Sequence, residues 1–200
     1  MTVRSMNITD QYYTENAQSF FESTVSVDVQ KLYDQFLPHL NPNGAILDAG
    51  CGSGRDAKHF KALGFKVTAF DANQALVALA SRHLEQNVIH AKFDTFHAEP
   101  NSFDGIWACA SLLHVPDHEL AATFFTLSQL LKPQGIFYCS FKYGQTAHIR
   151  NGRFFTDMDE NKLQATLTAS PLAIQQTWVT SDVRPGRESE QWLNAILVRR

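Results

Sequence analysis

Along this chain, short apolar runs alternate with stretches whose apolar residues recur at helical spacing. Residues 45–49, 66–71, 88–91, 103–109 and 135–141 are rich in Val, Ile, Phe and Ala, are bounded by Gly, Asn or Asp, and predict buried strands. Between them the pattern predicts helices over 55–63, 73–84 and 117–131. The third is the most regular, because Leu120, Phe124, Leu127 and Leu131 fall on one helical face. Asp117 is its expected N-cap, and Pro133 with Gly135 its expected stop. Strands alternating with helices imply parallel pairing through right-handed crossovers, hence an open α/β sheet with its ligand site at the carboxyl ends of the strands. Upstream, residues 10–40 read as two helices that end near Pro38 and lie over the ligand edge. Downstream, "LAIQQTWVTSDV" and "EQWLNAILVRR" read as two strands joined by the turn-prone "RPGRES", a closing antiparallel hairpin.

Composition narrows the class. With 200 residues and 44% hydrophobic side chains, the chain can bury one sizeable core, and a single domain over 1–200 is expected. No apolar run approaches the roughly 20 residues of a membrane span, and the polar start "MTVRSMNITDQYY" lacks a signal peptide's apolar core. A soluble, cytoplasmic protein with no membrane partner is expected. Cys51, Cys109 and Cys139 lie far apart in apolar segments and read as buried thiols, not as a disulfide framework or metal site. A formal net charge of −3 argues against a nucleic-acid partner, which usually requires a basic footprint.

The candidate chemistry begins at "AILDAGCGSGRDAKHF", residues 45–60, a glycine-rich turn between the first strand and its helix. Glycines let a ligand approach the main chain, and the helix start offers unpaired N–H groups to a phosphate or carboxylate. Gly50, Gly52 and Gly54 follow Asp48, whereas the dinucleotide fingerprint places its third glycine where this chain has Arg55. Asp71 closes the second strand in "VTAFD", where a carboxylate can accept both ribose hydroxyl hydrogens. Asp94 in "KFDTF" is placed to meet an adenine amino group, with Phe96 packing on the ring.

Five segments, "ILDAGCGSGRD", "VTAFDAN", "AKFDTF", "FDGIWACASLLHV" and "LLKPQGIFYCSFKYG", together resemble the ordered motifs of the class I S-adenosylmethionine-dependent methyltransferases, over about residues 45–144. The resemblance implies a Rossmann-like, seven-stranded, mostly parallel sheet with an antiparallel last strand. It further implies N-terminal helices (1–42) forming a lid over a core (43–200), and S-adenosylmethionine as cofactor. By motif, Gly50, Cys51 and Gly52 run beside the methionine and ribose, with Asp48 and Gly54 in the same motif. Asp71 holds the ribose hydroxyls, Ala72 and Asn73 border the adenine, and Asp94 and Thr95 lie at its edge. Ala110 and Ser111 line the floor beneath the transferring methyl, and Arg55 is either a ligand of the methionine carboxylate or an exposed first-turn arginine.

Because the sulfonium already activates its methyl, transfer to N, O or S needs alignment above all, and a base only when the acceptor arrives protonated. His114, just after the fourth strand, is the candidate base; the alternative is a structural histidine bonding a loop backbone. His114 and His118 stand four apart, but Pro116 between them argues against a shared metal site, and no metal is expected. Tyr12 and Tyr13 fall on the expected lid. Lys142, Tyr143, Arg153, Arg184 and Arg187, near Trp178 and Trp192, suit a small anionic acceptor. The expected function is therefore methyl transfer to a small, anionic molecule. The competing readings are an RNA or protein methyltransferase, a noncatalytic cofactor-binding module and a nicotinamide-dependent oxidoreductase.

Overall fold

The computed structural model describes residues 2–184 and 186–200, with side chains from Ile8 onward. Helices α1 (Thr2–Thr24) and α2 (Gln30–Phe36) precede the alternating core. The core runs β1 (Ala45–Ala49), α3 (Arg55–Ala62), β2 (Lys66–Asp71), α4 (Gln74–Leu84), β3 (Ile89–His90), β4 (Phe103–Ala108), α5 (Asp117–Leu130) and β5 (Leu131–Lys142). A small hairpin of β6 (Ala147–Arg150) and β7 (Arg153–Thr156) and helix α6 (Glu160–Thr166) follow, before β8 (Leu172–Ser181) and β9 (Gln191–Arg199).

Seven strands form one sheet in the order β3-β2-β1-β4-β5-β9-β8. The first five pair in parallel, and β9 enters antiparallel between β5 and β8. The sheet therefore has the strand number and the reversed final strand that the family resemblance implies. Strand order reverses between β1 and β4, the topological switch point where a ligand crevice opens.

Both faces of the sheet are covered, so its central strands are apolar at successive positions, not alternately. Leu47, Ile106 and Phe137 point into one layer with Leu120, Phe124 and Leu127 of α5. Their neighbours Ile46, Trp107 and Tyr138 point into the other with Tyr33 and Phe36 of α2 and Phe60 of α3. Trp107 stacks on Tyr138 with ring centroids 3.9 Å apart. Helix α2 thus packs into the core, although Lys31 and Leu32 at its start reach the same strand ends that α1 covers.

Several boundaries differ from the sequence reading. Asp117 is the first residue of α5 and Pro116 occupies the cap position with no side-chain cap. The chain passes from α5 into β5 without a loop, and Pro133 and Gly135 sit inside the strand, where the register against β4 shifts. The third strand shrinks to two exposed residues because it pairs only with β2 at the sheet edge. The β6–β7 hairpin was not expected, although Asn151-Gly152 is a hairpin-turn dipeptide and both residues have positive φ. The expected "RPGRES" turn includes Pro185, which lies outside the described residues.

Candidate active site

A cavity of about 490 Å³ opens at the carboxyl ends of β1, β2, β4 and β5, beneath α1. Its volume lies in the ordinary range for small-molecule sites. At one end stands the glycine turn. Gly50 has φ +78°, and a Cβ there would fall 2.6 Å from the Ser111 Cβ, so only glycine keeps this wall open. Asp71, at the tip of β2, accepts the Gly52 N–H on one oxygen and the Asn73 N–H on the other, both at 2.9 Å. Each oxygen keeps a lone pair that can accept a hydroxyl hydrogen, which fits a ribose diol. Burial pushes the Asp71 carboxyl upward, against the pull of those two N–H groups.

Asn73 is the hinge between this wall and α1. Its carbonyl caps α4 by accepting from Ala75 and Leu76. Its amide donates to the Asp10 carboxylate at 2.8 Å and to the Thr14 hydroxyl at 2.8 Å. Cys51, Ala72 and Asp94 also line this end.

Four expected cofactor residues lie elsewhere. Asp48 is buried under the turn and accepts the Ala57 N–H, supporting the start of α3. Gly54 has φ +77°, and a Cβ would meet Leu84 Cδ1 at 2.8 Å, so this glycine serves the packing of α3 on α4. Phe96 is buried in the core, stacked on Phe70 at 4.4 Å. The tight turn from Lys92 to Phe96 rotates Phe93, not Phe96, onto the cavity wall, and leaves Thr95 bonding Lys92. The two phenylalanines of "AKFDTF" carry the same hydropathy, so pattern does not distinguish them.

Below the middle of the cavity, Ala110 and Ser111 form the floor after β4, with Ala110 at φ +52° and the Ser111 hydroxyl donating to the Ala49 carbonyl. Arg55 lines the cavity and is clamped by Asp56 through Nε at 2.6 Å and a terminal nitrogen at 2.9 Å. Asp56 also accepts from Tyr33 and Trp107; these donors and Arg55 hold its carboxyl below the usual range despite burial. The first-turn arginine is thus a fixed cation.

His114 does not present a free nitrogen. Its Nδ1 lies 2.7 Å from the Phe154 carbonyl, which can only accept, so Nδ1 carries the proton and Nε2 accepts from the Tyr13 hydroxyl at 2.9 Å. Burial, with nearby Arg153, pushes the imidazole down to about 4. The expected base is instead a neutral anchor for Tyr13, because both nitrogens are committed to neighbours.

The far end of the cavity gathers residues from β5, the β6–β7 hairpin and the β8–β9 ends. Lys142 pairs with Asp182 at 3.2 Å and closely with Glu190. Arg184 grips Asp182 bidentately at 2.9 and 2.6 Å, and the Trp192 indole donates to the same carboxylate. Arg150 lies 3.6 Å from Glu190, and Arg187 also lines the cavity. Arg153, only 8% exposed, lines the cavity with its guanidinium 4.5 Å from the Tyr12 ring, 5.2 Å from Phe155 and 5.9 Å from Tyr13. Its Nε has no hydrogen-bond partner. Tyr12 packs on Arg153 without lining the cavity, and Tyr143 is exposed and bonds Glu160 outside it.

A sheet of this order, with a glycine turn after β1 and a ribose-competent acid at the tip of β2, defines the class I methyltransferase fold. Residues 46–135 match the model of the methyltransferase domain family. A ubiquinone biosynthesis O-methyltransferase of Xanthomonas campestris is 35% identical over 105 residues, covering 50% of this chain and 43% of the relative. The match therefore spans less than half the length of that relative. A Burkholderia thailandensis 1,6-didemethyltoxoflavin-N1-methyltransferase, solved with 1,6-didemethyltoxoflavin and S-adenosylhomocysteine, superposes with TM-score 0.79 at 19% identity, covering 96% of this chain and 88% of its own. The SpnF cyclase superposes with TM-score 0.74 at 14% identity, covering 98% and 96%, so the fold alone does not fix the reaction. Residues 46–135 thus match the methyltransferase domain family, and the chain as a whole has the fold of S-adenosylmethionine-dependent methyltransferases.

Proposed function

We propose that this protein transfers a methyl group from S-adenosylmethionine to a nitrogen, oxygen or sulfur of a small anionic molecule. The observation that carries the reading is the continuity of one cavity from Asp71 and the glycine turn to Arg153, which has no carboxylate partner among the described residues and whose Nε has no hydrogen-bond partner. When bound, S-adenosylmethionine supplies a methyl already activated on a sulfonium. Asp71 would hold the ribose hydroxyls, Phe93 and Asp94 the adenine side, and Arg55 the methionine carboxylate, while Ser111 and Ala110 form the floor. Arg153 would orient the acceptor, and α1 would exclude water from the reacting pair, which strengthens the electrostatics inside. Small-molecule acceptors are supported by the enclosure of the far end under α1 and the β6–β7 hairpin, and by the names of the similar proteins.

Isothermal titration calorimetry with S-adenosylhomocysteine and, separately, with NADH tests this. S-adenosylhomocysteine alone is expected to bind, and Asp71→Ala to weaken it by at least about a hundredfold, since two charge-assisted hydrogen bonds are worth roughly 1.5–3 kcal/mol each. Binding of NADH alone would overturn the reading in favour of a nicotinamide enzyme.

A further inference from the structure

The far end of the cavity contains cations and acids in an uneven balance. Asp182 and Glu190 are tied up by Lys142, Arg184 and Arg150; Glu119 faces His118 at 3.3 Å; and His114 has spent both nitrogens. Asp182, Glu190 and His114 are therefore committed to neighbours, and none of the three is placed as a free base for an acceptor. Arg153, in contrast, has no carboxylate in ion-pair range among the described residues, although it is buried and faces the cavity. An uncompensated buried cation is costly, and the cost is relieved by an anion. The rings of Tyr12, Tyr13 and Phe155 surround the guanidinium, and Tyr13 and Phe155 also line the cavity, so the surface beside it is aromatic.

We infer that the acceptor is an aromatic or heteroaromatic O–H or N–H acid bound as its conjugate base, with the negative charge on the attacking atom's own conjugated system and Arg153 as the group that stabilises it. This rests on the methyl-transfer reading above. The acceptor loses its proton to bulk water before binding. Its lone pair then forms the bond to the methyl carbon as the methyl–sulfur pair withdraws onto sulfur, leaving a neutral thioether and a neutral methylated product. No proton passes to the protein, which agrees with the committed state of His114, Asp182 and Glu190. The product no longer carries the charge that Arg153 held, which favours its release.

The test uses 4-nitrophenol and 4-nitroimidazole, an O–H and an N–H acid whose ionised forms are followed by absorbance, added to the full chain saturated with S-adenosylhomocysteine. The bound probe is expected to ionise about one unit below its value in water, a tenfold preference for the anion. Arg153→Gln is expected to abolish the shift and Arg153→Lys to keep part of it, with S-adenosylhomocysteine affinity unchanged in both as the control for folding. With methyl donor present, the acidic limb of kcat/KM across a series of phenols is expected to follow each acceptor's own acidity. Binding of neither probe, a shift that survives Arg153→Gln, or a limb fixed at one pH for every acceptor would overturn the inference. Any of these with intact S-adenosylhomocysteine binding leaves the methyltransferase reading standing, whereas loss of that binding in the unaltered chain would remove the reading itself.

Discussion

His114 shows how local chemistry decides a residue's role. A histidine beside a cavity is an obvious base, yet the Phe154 carbonyl fixes its tautomer and Tyr13 occupies the remaining nitrogen. Its protonation is disfavoured in the folded state, with the imidazole at about 4 against an ordinary value near 6.5. The lowered value means that neutral His114 supports the fold fully above about pH 6.5, and that this support is lost as pH falls toward 4. Denaturant unfolding between pH 7 and 4 should therefore show a loss of at most about 3 kcal/mol from this group, less where cavity water reaches the ring. His114→Gln should flatten that part of the profile; an unchanged slope would show that the ring is not held neutral.

At the scale of elements, α1 is joined to the rest of the site by hydrogen bonds at three places, one of them the Tyr13–His114 bond. Asn73 at the start of α4 binds Asp10 and Thr14, and the Thr9 hydroxyl accepts the Phe154 N–H of β7. These are polar attachments over a cavity, unlike the apolar burial that fixes α2 to the sheet, so α1 is the element suited to open. Asn73→Ala removes both the latch and the cap of α4, and is expected to cost about 1 kcal/mol of stability. Proteolysis within residues 8–24 should accelerate in that variant and slow in the unaltered protein when S-adenosylhomocysteine is added. Cleavage that is indifferent to the ligand would show that α1 is not a lid.

Across the whole molecule, the far end of the cavity, the proposed acceptor end, is assembled by strands far apart in sequence. Lys142 at the end of β5 meets Asp182, 40 residues later, beyond β8, and this pair with Arg184 and Trp192 closes the side wall. Arg184 and Lys142 hold the Asp182 carboxyl well below its usual range against burial, so its contribution is complete at neutral pH and is lost as the carboxylate protonates in acid. Asp182→Asn should lower stability by about 2 kcal/mol at pH 7. The difference from the unaltered chain should shrink as pH falls below the ordinary carboxylate range.

The strand, glycine turn and strand-tip acid at one end of the cavity were legible in the sequence because they are written locally, between Ala45 and Asp71, and each rests on backbone preferences of a few neighbouring residues. The reversed last strand was legible for the same reason, through two apolar runs separated by turn residues. The Asn151-Gly152 hairpin was equally legible from its dipeptide and went unread. Which phenylalanine of "AKFDTF" meets the cavity, and which glycine packs a helix, depended on a turn and an interhelical contact that hydropathy does not encode. Most of all, the five cations at the far end of the cavity look alike in sequence. Only the tertiary structure separates Arg153 from Lys142 and Arg184, because ion pairing is decided by which strand ends become neighbours when the sheet closes.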